Sequence, residues 1–342
     1  MRITNKMITN KYIRTVNTLS YDLDKLNTQV ASGRKFMKAS ENTSAAVKAF
    51  QIRRDMSSVE GYQANIEHAN ASLTNAESAL NHMEELMQEA REKILAAQNG
   101  TNSQEERKVI ATQIKNIQQQ LLQTLNSQAS DVYYFGGSNT DTPPFSIDTA
   151  TGSLMYNGNI LNDIVSGSDE EKALASDSMY VDIGLGLQII PDPNDLTKTI
   201  VDPKSVFQYT LPGINIVGSG TTTVDGVTVS NNLYDLLGQI ASGLESDTYT
   251  YESVDILYGQ FTKTSAQIVY GLTEVGAKTS YLEFMKGRYE TSTLNNQERQ
   301  LSIEGADPTS TIIKFKSQEV AYQAALQMGT QIIQPSIFDY LR

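Results

Sequence analysis

Residues 66–97 read IEHANASLTNAESALNHMEELMQEAREKILAA, and the spacing of their apolar side chains decides the fold. Ile66, Ala69, Leu73, Ala76, Leu80, Met83, Met87, Ala90, Ile94 and Ala97 step alternately by three and four positions for more than four heptads. Only an α-helix puts such positions on one face, and only a helical partner can cover so narrow a stripe. Upstream, Ile52, Met56 and Val59 continue the pattern, so one helix is expected from about residue 45 to 99, on the order of 80 Å long at 1.5 Å per residue. Asn99-Gly100 should end it. Ser103-Gln104-Glu105-Glu106 is a capping box that opens the next helix, whose stripe is Ile110, Ile114, Ile117, Leu121 and Leu125. An antiparallel hairpin zipped along these two stripes is expected.

The chain ends carry the same signal. Tyr12, Val16, Leu19, Leu23, Leu26 and Val30 form an unbroken seam that Ser32-Gly33 stops with a C-cap. In the back half, Val254, Phe261, Ile268, Val275 and Leu282 recur every seven residues. Asp307-Pro308 then starts a last helix, with Asp as N-cap and Pro at its first position. Its stepping runs through Ile312, Phe315, Glu319, Tyr322, Leu326, Gly329 and Ile333. A heptad stripe is not stable alone, so the two terminal arms are expected to pair. Tyr12, Val16, Leu19, Leu23, Leu26, Val30, Phe315, Tyr322, Leu326 and Ile333 are the candidate seam through which the chain pairs with itself or with a partner.

Between the helical ends the period changes. No proline precedes Pro143, and six of the eight prolines fall between Pro143 and Pro212. Phe145–Asp148 and Ser153–Tyr156 read as two strands around a turn, and Met179–Ile183, Val206–Thr210 and Ile214–Val217 as further short strands. Asp225-Gly226 sits in a Thr/Val-rich pair as a hairpin turn. The predicted fold is mainly α: a long antiparallel helical rod or coiled coil built from both chain ends, with a small β-rich inserted domain. Terminal arms would occupy 1–40 and 306–342, the rod 41–140 and 231–305, and the insertion 141–230.

Charge follows the same divisions. The 342 residues carry 27 basic and 39 acidic side chains, a net −12 that argues against a nucleic-acid partner. Residues 1–40 hold eight basic against two acidic, whereas 141–260 hold three against seventeen. No apolar run approaches the roughly 18 residues of a membrane span, and no apolar h-region follows Met1-Arg2-Ile3-Thr4-Asn5-Lys6, so no membrane partner is expected.

Chemistry has little raw material. There is no cysteine, which removes thiolate metal sites and thiol nucleophiles. The two histidines, His68 and His82, both fall at heptad position c, where a solvated side chain is the expected reading rather than a ligand. Gly184-Leu-Gly186 and Gly218-Ser-Gly220 lack the lysine and helix start of a phosphate loop. No catalytic, cofactor-binding or metal-binding residue is assigned, and no enzyme is expected.

Several blocks resemble the flagellin family of bacterial axial proteins. Leu26-Asn-Thr-Gln-Val-Ala-Ser-Gly-Arg34 is similar to its Q-x-x-x-S-G-K/R segment, and Asn65–Leu80 and Ala97–Thr101 to its shared helix and that helix's end. Tyr133-Tyr-Phe-Gly-Gly137 with Thr142-Pro-Pro-Phe145, and the ending Pro335-Ser-Ile-Phe-Asp-Tyr-Leu341, are similar to the family's hook-associated junction branch. Glu274–Ala277 and Ala321–Leu326 add to the likeness. Ala39-Ser-Glu-Asn-Thr43 departs from the family's usual Asp-Asp-Pro there. The resemblance implies a structural adaptor of the bacterial flagellum, extracellular, exported by the type III route without a cleaved signal peptide. Its implied partners are the other junction protein (FlgK), flagellin, copies of itself in a ring and an export chaperone, with no cofactor. Flagellin itself, or a secreted coiled-coil effector or translocator, are the alternatives.

Overall fold

The computed structural model describes residues 5–99, 102–129, 131–191, 199–247 and 249–332. Eight α-helices are found among them: α1 (Asn5–Ser32), α2 (Thr43–Ala97), α3 (Gln104–Leu125), α4 (Asp169–Ser176), α5 (Ile214–Val217), α6 (Leu233–Glu245), α7 (Tyr251–Glu304) and α8 (Pro308–Ile332). The chain is mainly helical, as its periodicity predicts. Two compact units are present, one holding the residues up to Val59 and from Glu290 on, the other Glu60–Tyr289.

The 60–289 unit has the deep core. All ten stripe residues from Ile66 to Ala97 are buried, as are Val254, Phe261, Ile268, Val275 and Leu282. In α3 the buried set is Ala111, Ile114, Ile117, Leu121 and Leu125, so Ala111 takes the place expected of Ile110. Its capping box is complete, with Ser103 Oγ accepting from Glu106 N–H and the Glu106 carboxylate accepting from Ser103 N–H at 2.7 Å. The zip between α2 and α3 is not the closest contact of α3, which packs instead on α6. Gly238 makes this possible: a Cβ there would lie 2.9 Å from Gln118 Nε2, which donates to Tyr234 O at 2.8 Å. Lys115 Nζ and Glu245 Oε1 close the pair at 2.6 Å.

The β structure is a set of short ribbons. Phe145–Ile147, Leu154–Tyr156 and Asn159–Ile160 form a three-stranded antiparallel sheet, and Tyr180–Val181 pairs with Phe207–Gln208. Thr221–Val224 pairs with Val227–Ser230 around Asp225-Gly226, whose φ values of 49° and 81° are those of the expected hairpin turn. Ile189–Pro191 pairs with Thr199–Val201, a ribbon the sequence reading does not include. Ile214–Val217 is a correction: it is a helical turn, not a strand. Gly213 and Gly218 decide this, since Gly218 sits at φ 88° and its N–H bonds back to Ile214 O at 2.9 Å, which winds the β-branched run into one turn. The short α4 also lies outside the sequence reading, although Ser168 caps it by accepting from Glu171 N–H and three acids fill its first turn.

These ribbons are anchored by buried polar groups. Asp235 accepts from Leu154 N–H at 3.1 Å, Asn162 Nδ2 at 2.7 Å and Asn232 Nδ2 at 2.8 Å. Burial pushes its carboxyl above the ordinary aspartate range, against the opposing pull of those hydrogen bonds. Ser230 and Asn232, both fully buried, complete the network.

Candidate assembly interface

The other unit is built differently. α1 lies antiparallel to α8: Tyr12 Oη donates to Ala325 O at 3.0 Å, while Asp22, Lys25, Leu26 and Gln29 share a crevice with Lys314, Ser317 and Gln318. The close approach near Tyr12 requires Gly329, where a Cβ would meet Tyr12 Oη at 2.1 Å. The turns joining the arms to the long helices are stitched together. Lys35 N–H donates to Glu304 O at 2.7 Å and Ala306 N–H to Gly33 O at 2.8 Å, with Arg34 and Gly305 forming the bridge. The carboxylate of Glu304, only 5% exposed, is paired with Arg53. Gly33 at φ 67° ends α1 as its C-cap signal predicts, and Asp307 accepts from Thr309 and Ser310 N–H to start α8.

The predicted seam residues face this pair but are not enclosed by it. Tyr12, Val16, Leu19, Leu23, Leu26, Phe315 and Tyr322 are half-buried, and Val30 and Leu326 are exposed at 40% and 45%. Ile333 lies outside the described residues. The sequence reading passed over Thr311, which is buried on the face of α8 turned to α1. It also passed over a second stripe. At 100° per residue Ile313, Val320, Ala324 and Met328 fall on the side of α8 opposite Phe315 and Tyr322, and Ile313, Val320 and Met328 are 60–65% exposed. α1 has polar residues on most of its corresponding side, so α1 is amphipathic in the ordinary way and α8 is apolar on two sides. Charge separates the units too. The arm unit carries 15 basic against 10 acidic residues, and the 60–289 unit 12 against 29.

His68 and His82 are exposed, His68 edge-on to Tyr209 and His82 3.6 Å from Glu85. Among the described residues no group of three or more His, Cys, Asp or Glu is placed to hold a metal ion, and no helix is long and apolar enough to cross a membrane.

Residues 3–140 match the bacterial flagellin N-terminal helical region. The chain is similar over its whole length to flagellar hook-associated protein 3 of Escherichia coli strain K12, with 22% identity over 99% of each chain. Among solved structures it is similar in fold to a flagellar hook-associated protein from Vibrio parahaemolyticus, with a TM-score of 0.56 at 18% identity over 77% of this chain and 99% of that one. It is likewise similar to FlgL from Xanthomonas campestris, with a TM-score of 0.53 at 13% identity over 73% and 99%.

Proposed function

We infer that this chain is a FlgL-like junction protein of the flagellin family, a structural adaptor of the bacterial flagellum that joins the hook side to the flagellin filament. Whole-length likeness to hook-associated protein 3 favours this over flagellin, because the flagellin N-terminal match alone would fit either protein. One structural observation carries the assembly role. α8 is apolar on two opposite sides and α1 covers one of them, leaving Ile313, Val320 and Met328 bare. Repeated large apolar residues on an exposed helix face mark an interaction surface. The arms, 1–40 and 306–342, are therefore the joining part, with the seam from Tyr12 to Val30 and from Phe315 to Ile333 closed fully only in the assembly. FlgK on one side, flagellin on the other and copies of the chain around a ring are its partners. An export chaperone holds the arms before type III export, which needs no cleaved signal peptide.

Electron microscopy of a strain lacking this gene tests the reading. Hooks without attached filaments, restored by the wild-type chain, are expected. Normal filaments in the deletion strain, or filaments built from this chain alone, would overturn it.

A further inference from the structure

The 60–289 unit carries 12 basic against 29 acidic residues, so copies of it side by side repel except where both surfaces lack charge. Two nearly uncharged surfaces are found among the described residues, the acids beside them being paired within the chain, Glu274 with Lys278 at 2.7 Å and Glu67 with Lys286 at 3.5 Å, and they are complementary. The first is a ridge on the side of α7 turned away from the core. Tyr270, Thr273, Ala277, Ser280 and Phe284 step by 3, 4, 3 and 4 and are all exposed, Tyr270 at 72% and Phe284 at 67%. The second is a groove along α2. Along α2 it is lined by small residues, Ala71, Ser72, Asn75, Ser78 and Ala79, with His68 and His82 at its two ends, and Tyr134 lines both halves. It consists of two adjoining hollows of about 410 and 500 Å3, both reaching Asn75.

The charges at the ends match. On the ridge side, exposed Lys263 and Arg288 stand 25 positions apart, and on the groove side exposed Glu60 and Glu85 stand 25 apart. Each spacing is about 37 Å at 1.5 Å per residue. We propose that the α7 ridge of one copy seats antiparallel in the α2 groove of a second copy, with Arg288 opposite Glu60 and Lys263 opposite Glu85. In this register Ala277 lies opposite Ala71 and Thr273 opposite Asn75, small against small, and Tyr270 comes to the hollow beside Ser78. α2 and α7 of one chain already run antiparallel, since Glu67 pairs with Lys286 and Leu80 lies against Gly271. Neighbouring copies therefore point the same way. Ridge and groove are different surfaces, so the contact is head-to-tail, the kind that builds a ring where its rotation closes, and not a two-fold dimer. The inference deepens the adaptor reading by naming the surface through which copies share a ring, and it rests on that reading for its setting.

The chain has no cysteine, so engineered thiols report this contact alone. Full-length protein carrying Ala71→Cys and Ala277→Cys together should give a ladder of dimers, trimers and higher species on oxidation at high concentration. A mixture of the two single variants should give dimers only, and each single variant alone none. Arg288→Glu in the double variant should lower the ladder yield several-fold, and Glu60→Arg added to it should restore the yield. No ladder, or dimers from either single variant alone, overturns the proposal. Filament restoration by the wild-type chain in the deletion strain is scored separately. Filaments without a ladder remove this interface and leave the adaptor reading intact; a ladder without filaments removes the adaptor reading and leaves the interface.

Discussion

Leu23→Asp separates the two units. Leu23 is half-buried against α8 on a seam that has one partner helix in the free subunit. Full burial of a leucine is worth about 1.5–3 kcal/mol, so half burial sets the loss near 1 kcal/mol. The poorer helix propensity of Asp adds roughly 0.5 kcal/mol. About 1.5 kcal/mol is enough to loosen a two-helix pair, because isolated helices of this length are marginal in water. It should leave the 60–289 unit untouched, since that core is filled by its own residues from α2, α3, α6 and α7. In the assembled junction the same aspartate would sit in a closed seam, where an unpaired buried charge costs about 3–5 kcal/mol. At 1.4 kcal/mol per decade that is a loss of roughly 100- to 4,000-fold in association. The variant should therefore be helical and cooperative by circular dichroism, exchange amide hydrogens faster in α1 and α8, and fail to restore filaments. Loss of cooperative unfolding in residues 60–289 would refute the reasoning, because it would make the arms part of that core.

Phe261→Ala, at a fully buried position of α7, should destabilise the 60–289 unit by about 3–5 kcal/mol in urea unfolding while leaving exchange in α1 and α8 unchanged. Gly329→Ala should cost about 1–3 kcal/mol of arm pairing, because its methyl displaces Tyr12 from Ala325 O, and faster exchange at the Tyr12 end of α1 would report it. The raised carboxyl of Asp235 gives a pH test. The folded unit holds that proton at a pH where the unfolded chain has released it, so Asp235 adds stability as pH falls through the window just above the ordinary aspartate value and withdraws it as pH rises. Relative to Asp235→Asn, wild-type stability from urea melts should rise on going from about pH 7 to about pH 4; a constant difference would show that Asp235 is not burdened by burial.

The heptad stripes were readable because residue type and position agree over many turns. At the ten stripe positions from Ile66 to Ala97, and at every seventh position from Val254 to Leu282, an apolar residue stands at the core-facing step, and the structure buries each of them. The caps at Ser103 and Asp307 were readable for a local reason, since the side chain and the N–H it accepts are three residues apart or fewer. What depends on distant neighbours was not readable. The pairing of α3 with α6 rests on Gly238 admitting Gln118 more than a hundred positions away, and α6 alone shows only a leucine-rich face. Ile214–Val217 has strand-forming residues, yet Gly213 N–H is fixed by Phe135 O at 2.8 Å and Gly218 turns the chain back. Long-range anchoring outweighs β-propensity there.

The second stripe of α8 escaped for an instructive reason. A periodicity search asks for one apolar face, and α8 has two, so its pattern looks merely apolar, with neither face standing out over the other. Physically, the two faces do different work. The Tyr12–Ala325 and Gly329 contacts fix α8 on α1, which sets the direction in which Ile313, Val320 and Met328 point. Three side chains about 60–65% exposed still hold most of their transfer free energy in reserve, on the order of 1–2 kcal/mol each at about 0.8 kcal/mol per CH2 group. That reserve is unavailable to the free subunit and becomes available only where another surface covers α8. An assembly protein must not close this face on itself. The stitched turns at Gly33–Lys35 and Glu304–Ala306 serve that end, because they tie α1 and α8 to each other at the point where both leave the long helices. The Glu304 carboxylate braces these turns from the side by pairing with Arg53, so Glu304→Ala, which keeps the backbone bonds and removes only that brace, should weaken filament attachment while the bare stripe itself is unchanged in sequence. If filaments attach normally to Glu304→Ala hooks, the Arg53 pair carries no part of the orientation of α8, and the backbone bonds of the turns and the contact with α1 set it.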